Sequence, residues 1–365
     1  MVNDKENQHD DKGDQIADRK KHQNLLVGDY NRLQYKVYSV DVKGYVRREI
    51  LFFLIIFTAL RSVAAQTIIA PRDISPGDPF LCWMTSARPI LSASAYLQDS
   101  AGKKLASAKP FFMPSVENEF LYGFLFPIPV KTSPGAGELL VSVVFEENGG
   151  GQSIAELHRP FNIVAKKFFR EDIPLDKSNS LLRTKPDPAK TAESIAFAKI
   201  FETRDLTTLY AAGPMEKPLS VTWRETAGFA DERRYIYYDG SSDSTLHGGI
   251  DLGAKEGSEV VACAGGRVAF AGPRIVTGNT IVLEHLPGLF SIYMHLSAIG
   301  VHEGDIVDEG QPIGRVGSTG LSTGPHLHWE LRIGEVSVNP YYWLSHSLLD
   351  KDANSGKIKL PAEGR

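Results

Sequence analysis

The sequence predicts a mainly β protein in which two β-rich domains are joined by a helical linker. Short apolar runs alternate with turn signals over two long stretches, and 33 glycines and 21 prolines supply the turns. A length of 365 residues leaves room for two or three domains. The formal net charge is −4. Binding to nucleic acid needs a clustered basic surface, and this charge gives no indication of one, so we expect no nucleic-acid partner.

The N-terminal part of the chain combines a long polar extension with a short apolar segment. Residues 1–49 are rich in charge, and residues 50–65 carry an apolar run that Arg61 interrupts. A membrane span needs about 20 apolar residues, so a secretory signal cut near Gln66 is preferred over an uncleaved inner-membrane anchor facing the periplasm. The extension is either a cytoplasmic tail or a mis-assigned start, with the true start near Val42 or Val46.

Residues 66–166 are predicted to form an immunoglobulin-like β-sandwich. Segments such as LSASAYLQ, EFLYGFLF and ELLVSVVF are typical of strands, and Ser-Ala-Gly and Gly-Gly-Gly stand where hairpin turns belong. We find no group of metal ligands or nucleophiles in this segment, so we expect this domain to have a binding, spacing or gating role. Its Cys82, like the later Cys263, is flanked by apolar residues and is expected to be a buried free thiol.

Residues 167–219 are predicted to be a linker that contains one helix. Asp187 can cap this helix with a proline in its first turn, and AKTAESIAFAKIFETRD carries a modest apolar stripe that includes Ile195 and Phe201. We expect the helix to pack between domains rather than to take part in chemistry. A second β-rich region follows over residues 220–345, and a solvated tail is expected after it, over residues 346–365.

The second β-rich region contains two histidines one residue apart, in GPHLHWEL. Side chains alternate along a strand, so His326, His328 and Glu330 share one face while the apolar residues between them share the core face. The same alternation in FSIYMH places Tyr293 on the face of His295, so Tyr293 is a further candidate for a cleft. These patterns alone do not separate a surface stripe from the wall of a site.

A second motif, HGGID, favours a metal site. Its two glycines argue for a tight loop, which lets His247 and Asp251 converge on one point. His328 from a distant strand then completes three protein ligands with one position open, the arrangement of a catalytic zinc rather than a structural one. We expect one zinc ion per domain and no organic cofactor. His295 and His326 are the spare imidazoles available as proton acceptor and oxyanion stabiliser.

The same region resembles the lysostaphin/LytM-type zinc metallopeptidases, which cut peptidoglycan peptides. The resemblance covers about Ser220 to Leu344 and rests on HGGIDLGAKEGSEVVACAGG, GNTIVLEH, YMHLS and GSTGLSTGPHLHWEL. It implies an antiparallel two-sheet β domain whose groove holds the metal. It also implies a hydrolase of the cell wall that is exported to the periplasm or cell envelope.

The resemblance further implies a role for each residue of the site. His247, Asp251 and His328 match the zinc ligands, and His295 and His326 match the two catalytic histidines, with the choice of general base left open. The implied enzyme is an endopeptidase in which a zinc-bound water attacks an amide in the peptide cross-links of bacterial peptidoglycan. The layout favours D-alanyl cross-links over glycine bridges.

Other polar residues near these motifs are predicted to lie outside the site. They are His285 as a structural residue, His302 and His346 at the surface, and Arg233 with Arg234 as a solvated pair. The two arginines lie close before His247, so contact with substrate carboxylates is their alternative role.

Two further classes of protein fit parts of the pattern. A biotinyl or lipoyl carrier shares the glycine-turned hairpins of VHEGDIVDEGQPIGRVG, but it needs an exposed lysine, and none occurs between Arg267 and Tyr341. A non-catalytic activator of other wall enzymes would lack metal ligands that this chain keeps. An autoinhibited enzyme, or a cell-wall or division regulator, stays open as the alternative. Its partners would be an unidentified regulatory protein and, through residues 50–65, the inner membrane.

Overall fold

The computed structural model describes residues 66–116, 119–204, 208–348, 350–351 and 358–359. The predicted polar extension and export signal therefore lie outside the described residues. In the part of the chain that is described, no helix is long and apolar enough to cross a membrane.

The N-terminal domain consists of two β-sheets that share one core. Its strands are β1 (Thr67–Ile69), β2 (Asp73–Ile74), β3 (Pro79–Ser86), β4 (Ser92–Asp99), β5 (Lys104–Ala108), β6 (Phe111–Val116), β7 (Glu119–Pro127), β8 (Gly135–Glu146) and β9 (Gln152–Ile163). One sheet has the order β1-β3-β7-β6 and the other β2-β9-β8-β4-β5. Strand β8 buries every second residue from Leu139 to Phe145, as a strand with one face in a core must. The two-sheet β architecture is confirmed, and the immunoglobulin-like arrangement of its strands stays a prediction.

The linker contains a strand and two helices, where the sequence predicts a single helix. They are β10 (Arg170–Pro174), α1 (Lys177–Thr184) and α2 (Pro188–Glu202). Asp187 caps α2 as predicted, because its side chain accepts a hydrogen bond from the backbone N–H of Ala189 at 2.8 Å. Strand β10 and helix α1 have only five and eight residues, and short segments of this kind are easily taken for an irregular linker.

Helix α2 packs on the outer face of a sheet in the C-terminal domain rather than between the two domains. Its buried residues are Phe197 and Phe201, whose ring centroids lie 5.2 Å apart, and they contact Val282 and Phe290 of that sheet. Ile195, part of the predicted stripe, is 56% exposed. The predicted stripe is wrong in this respect because two aromatic rings at i and i+4 bury more apolar area than the aliphatic residues beside them.

The C-terminal domain begins with β11 and ends in a short helix. Its elements are β11 (Arg224–Ala227), β12 (Glu232–Ile236), β13 (Ser242–Leu246), β14 (Ile250–Gly253), β15 (Glu259–Val261), β16 (Gly266–Arg274), β17 (Gly278–Leu286), β18 (Leu289–Leu296), β19 (Ala298–Ile299), β20 (Ile306–Val307), β21 (Pro312–Arg315), β22 (His326–Ile333), β23 (Val336–Val338) and α3 (Pro340–Trp343). The large antiparallel sheet has the order β11-β14-β22-β18-β17-β16-β20, and β23 also pairs with β22. The sheet β15-β21-β19 shares a core with it, so the predicted two-sheet antiparallel domain is confirmed.

A third sheet joins the linker to the C-terminal domain. Its order is β10-β12-β13, with β10 parallel to β12 and β13 antiparallel to it. The linker strand is therefore an integral part of the C-terminal domain, although it lies outside the predicted boundary at residue 220.

The predicted solvated tail is only partly described. Leu348 is fully buried in the core of the C-terminal domain, so the prediction is wrong at that position because an apolar side chain finds space there. Two short strands follow, β24 (Asp350–Lys351) and β25 (Ile358–Lys359), which pair antiparallel.

Candidate metal centre

A groove of about 1150 Å³ crosses one face of the C-terminal domain. Strand β10, helix α1, strands β18 and β22 and the loop at residues 321–325 contribute to its lining. Among the described residues, none from the sandwich at 66–166 lines it. All five residues that the sequence predicts for the site do, namely His247, Asp251, His295, His326 and His328.

Strand register places Asp251 beside His328. Strands β14 and β22 are antiparallel neighbours in which Asp251 lies opposite His328, while Met294 of β18 lies opposite His328 on its other side. Directly opposed residues on neighbouring strands project from the same face of the sheet. Two residues far apart in sequence therefore meet on the groove face. On β22 the intervening Leu327 and Trp329 are fully buried in the core, as the alternation predicts.

His247 reaches the same point from the loop between β13 and β14. Its backbone N–H donates to the carbonyl of Asp231 at 2.9 Å, and its own carbonyl accepts from Ala230 at 2.8 Å. Gly249 lets the chain enter β14, because a Cβ there would lie 2.3 Å from the carbonyl oxygen of Trp329 on the neighbouring strand. The predicted tight loop is confirmed.

The three predicted ligands form a compact triangle of donor atoms. His247 Nε2 lies 3.2 Å from Asp251 Oδ1 and 3.0 Å from His328 Nδ1, and the last two atoms are 2.9 Å apart. Two imidazole nitrogens and a carboxylate oxygen are donors that zinc accepts, and tetrahedral bonds of about 2.0–2.1 Å would separate ligand atoms by about 3.3 Å. The residues therefore fit a zinc ion in both chemistry and spacing.

Each ligand makes a second contact that selects its metal-facing atom. His247 Nδ1 lies 2.7 Å from the carbonyl of Gly228, so we assign the proton there and the lone pair to Nε2. His328 Nε2 lies 3.4 Å from Glu330 Oε2, which leaves Nδ1 for the metal. Arg233 donates to Asp251 Oδ2 at 2.5 Å, which leaves Oδ1.

Electrostatics at the triangle favour a positive charge. Burial alone would raise the pKa of Asp251, but the contacts of its carboxylate with the His247 and His328 rings hold that pKa far below its usual range. Burial lowers the pKa of His328, yet contacts with Asp251 and Glu330 outweigh it and raise the pKa to about 9. The carboxylates thus stabilise a cation on or beside the His328 ring, which is where a metal ion would bind.

Two further imidazoles lie beside the triangle. The ring centroids of His295 and His326 are 4.8 Å apart, and His295 is 6.3 Å from His328. Each ring has its Nδ1 at 2.8 Å from a backbone carbonyl, that of Thr319 for His295 and that of Gly324 for His326. The Nε2 atoms therefore carry the lone pairs. His326 Nε2 lies 3.8 Å from Asp251 Oδ1, at the edge of the triangle.

Tyr293 does not reach the groove, contrary to the prediction from alternation. It is fully buried, and its hydroxyl accepts a hydrogen bond from the backbone N–H of Cys263 at 2.9 Å. The alternation ends at His295, whose φ of +62° is in the left-handed region that non-glycine residues rarely adopt. This backbone conformation turns the His295 side chain to the groove face, beside Met294 instead of Tyr293.

Arg233 is buried at the site, so the prediction of a solvated pair is wrong for this residue. Its side chain is 12% exposed and forms ion pairs with Asp251 and, at 3.5 Å, with Glu171 of β10. Burial would lower the pKa of Arg233, but Asp251 outweighs this and raises it, so the guanidinium stays charged. Arg234 does pair with Asp172 at the surface, as expected.

The remaining polar residues behave as predicted. His285 is fully buried, with Nδ1 at 2.7 Å from the Gly265 carbonyl and Nε2 at 2.7 Å from Ser291 Oγ, which is a structural role. The side chain of His302 is 93% exposed, and His346 also lies at the surface. Cys82 and Cys263 are buried free thiols.

The site is a candidate metal centre, in which a His-Asp-His group and two adjacent histidines lie in an antiparallel β domain. Residues 245–340 match the sequence profile of peptidase family M23, so this part of the chain is a peptidase family M23 domain. The chain is also 48% identical over 95 residues to the DD-carboxypeptidase/endopeptidase Mpg of Neisseria meningitidis serogroup B. The aligned residues make up 26% of this chain and 22% of that relative.

Two other similarities each cover part of the chain. The murein hydrolase activator NlpD of Escherichia coli K12 is 37% identical over 128 residues, 35% of this chain and 32% of the relative. The catalytic domain of the antimicrobial peptidase lysostaphin from Staphylococcus simulans aligns with a TM-score of 0.27 and 28% identity over 41% of this chain and 98% of that domain. The chain thus spans about a fifth to a third of the length of these curated relatives.

Proposed function

We propose that the protein is a zinc-dependent endopeptidase that hydrolyses peptide cross-links of bacterial peptidoglycan. The observation that supports this most strongly is the grouping of five side chains in one groove. Three offer donor atoms 2.9–3.2 Å apart, and the other two are imidazoles held by backbone carbonyls beside them. The similarity to a DD-carboxypeptidase/endopeptidase supports the substrate class.

His247, Asp251 and His328 would hold the zinc ion. When bound, zinc supplies a water of lowered pKa and polarises the carbonyl of the scissile amide. Three protein ligands leave a coordination position for water or substrate, as catalytic zinc sites do. The groove beside the triangle gives a peptide access to that position.

His295 and His326 would move the protons. Burial, followed by the neighbouring His326 and His328, lowers the pKa of His295 to about 3, so its ring is neutral near pH 7. A neutral ring whose Nδ1 proton faces a carbonyl can accept a proton at Nε2. We propose that one of the two histidines takes the proton of the attacking water at Nε2, and that the other, in its doubly protonated form, donates a hydrogen bond from Nε2 to the oxyanion.

We propose D-alanyl cross-links as the substrate and the periplasm or cell envelope as the compartment. Similarity to two proteins of Gram-negative bacteria, a DD-carboxypeptidase/endopeptidase and a murein hydrolase activator, supports both. An export signal or an inner-membrane anchor at residues 50–65 would deliver the domain to that side of the membrane.

The test is a digest of purified, cross-linked sacculi with the chain from Gln66 onwards, read by mass spectrometry of the muropeptides. Dimeric muropeptides should disappear with wild type and with the surface control His302→Ala. His328→Ala should bind no zinc and release nothing. His295→Ala and His326→Ala should keep zinc and lose activity by about 10²–10⁴-fold. Intact dimers with zinc-loaded wild type, or activity that survives in His328→Ala, would contradict the proposal.

A regulator of other wall hydrolases is the second candidate, favoured by the similarity to a murein hydrolase activator. In that case wild type would leave dimers intact when present alone but would accelerate a purified wall hydrolase added to the same sacculi. The His295→Ala variant would accelerate that hydrolase equally well. The complete ligand triangle and both neighbouring histidines support the enzyme over this alternative.

A further inference from the structure

We infer that Arg233 is a positioning residue of the metal centre and that the linker strand β10 holds it in place through Glu171. This inference rests on the zinc-binding part of the proposed function. It assigns a role in the site to two residues outside the segment 245–340 that matches the peptidase family.

The contact between Arg233 and Asp251 fixes the rotation of the carboxylate. Arg233 Nη2 lies 2.5 Å from Asp251 Oδ2, and the two side chains are 12% and 8% exposed. With Oδ2 held by the guanidinium, Oδ1 remains at 3.2 Å from His247 Nε2 and 2.9 Å from His328 Nδ1. Arg233 therefore presents Asp251 as a ligand through one oxygen and keeps the second oxygen away from the metal position.

Strand β10 provides the second anchor of Arg233. Glu171 lies opposite Arg233 in the parallel pairing of β10 with β12, and its Oε2 is 3.5 Å from Arg233 Nε. That Nε atom is buried and has no hydrogen-bond partner among the described residues. Its contact with Glu171 is an ion pair. A buried guanidinium is a rigid fork that is stabilised by paired carboxylates, so contacts at two of its nitrogens restrict its orientation. The chain Glu171–Arg233–Asp251 thus links the linker strand to a metal ligand.

The neighbouring ion pair Arg234–Asp172 serves as a control for the loss of a contact between β10 and β12. It joins the same two strands, one residue further along, but its side chains are 40% and 46% exposed and it does not contact Asp251. Substitutions there remove one ion pair between β10 and β12 and leave the metal ligands untouched. Any effect found only at Arg233 and Glu171 is therefore specific to the path towards Asp251.

The experiment measures zinc affinity by chelator competition, the visible absorption of the Co²⁺-substituted protein, and kcat and KM on sacculi at saturating zinc. Arg233→Met should weaken zinc binding about 10- to 100-fold, the range for loss of a residue that orients a metal ligand. It should also change the Co²⁺ spectrum and lower kcat more than KM. Arg233→Lys should recover part of the affinity, since it keeps the charge but loses the fork of donors. Glu171→Gln should show a smaller loss in the same direction.

Arg234→Met and Asp172→Asn should match wild type in affinity and spectrum. The inference is overturned if Arg233→Met binds zinc as wild type does with an unchanged Co²⁺ spectrum, or if Glu171→Gln behaves like Asp172→Asn. If Arg233→Met does not fold, Arg233→Lys and Glu171→Gln carry the same comparison against the two controls. A wild-type protein that binds no zinc would instead refute the proposed function, so the two failures are distinguishable.

Discussion

At the scale of single residues, the second contact of each candidate ligand determines which of its atoms faces the metal position. A histidine presents either ring nitrogen and an aspartate either oxygen, so three ligands alone leave several arrangements available. Gly228, Glu330 and Arg233 remove that freedom, because each occupies the atom that must not face the metal. The donor triangle is therefore arranged before a cation binds, which reduces the conformational entropy lost on binding.

His285 should make the protein sensitive to mild acid. Burial lowers its pKa to about 4, against an ordinary 6.5 in the unfolded chain, although the contact with the Gly265 carbonyl opposes the shift. Between these values the unfolded chain binds the proton and the folded protein does not. The stability contribution is thus complete above pH 6.5 and is lost as the pH falls towards 4, by an amount on the order of 3 kcal/mol.

The measurement is the free energy of unfolding in urea at a series of pH values from 7 to 4. His285→Gln removes the titrating group, so the wild-type curve should fall more steeply than that of the variant below pH 6.5. The proposed zinc ligands contribute equally to both proteins and cancel in the comparison. Parallel curves would show that His285 is not the source of the acid sensitivity.

At the scale of elements, the sequence predicts what local periodicity and motif spacing determine. Alternation on β22 places His326, His328 and Glu330 at the groove and Trp329 in the core, and Asp187 begins helix α2 as its capping chemistry predicts. The failures come from features that no local pattern records. Alternation misplaces the tyrosine two residues before His295 because one left-handed residue reverses the face.

Arg233 was missed for a different reason. Its two partners are Asp251, which is 18 residues away, and Glu171 of a strand too short to be recognised in the sequence. A run such as DERRY reads as solvated unless the parallel pairing of β10 with β12 is known. The signal that could have identified Arg233 is the buried carboxylate of Asp251. A buried carboxylate needs a charged partner besides two histidines, and a nearby arginine can supply it.

The loop between β13 and β14 should tolerate a side chain at Gly248 better than at Gly249. A Cβ on Gly249 would lie 2.3 Å from the backbone oxygen of Trp329, so β14 and β22 must separate, and the pairing of Asp251 with His328 depends on those strands. A Cβ on Gly248 would meet the side-chain ends of Glu330 and Ser337 at 3.1 Å. We expect Gly249→Ala to cost about 1–3 kcal/mol of stability and to weaken zinc binding.

Urea unfolding and chelator competition measure the two effects, with Gly248→Ala as the matched control. The control should lose less stability, since side-chain ends can move by the few tenths of an ångström required. Its zinc affinity should fall less than that of Gly249→Ala, because among the contacts of the proposed ligands only that of His328 with Glu330 has to shift. Equal losses in the two variants would mean that strand separation is not the cause.

At the scale of the whole molecule, the sandwich supports the C-terminal domain from outside the groove. Trp83 and Phe111 of the sandwich share a core with Phe229 and Trp343 of the C-terminal domain. Among the described residues, none of the sandwich lines the groove, whereas the linker strand β10 does. The described part of the linker is therefore placed to influence access to the groove.

A buried polar contact at this domain boundary should make the two domains unfold together. Asn339 donates from Nδ2 to Asp78 Oδ1 at 2.7 Å and from its backbone N–H to the Gly77 carbonyl at 2.8 Å. Asn339→Asp keeps the oxygen that caps α3 but turns a donor into a second carboxylate against Asp78. We expect a loss of about 2–3 kcal/mol, since a buried hydrogen bond to a charged group is replaced by repulsion.

The matched control is Asn162→Asp, which makes the same change against Asp73 in an exposed pair at 3.0 Å within the sandwich. An exposed contact is worth less than about 1 kcal/mol, so this variant should unfold close to the wild-type temperature. Calorimetry should give a single transition for all three proteins, shifted down only in Asn339→Asp. If Asn339→Asp instead shows two transitions, with one at the wild-type temperature, the domains are independent folding units and the shared core does not couple them.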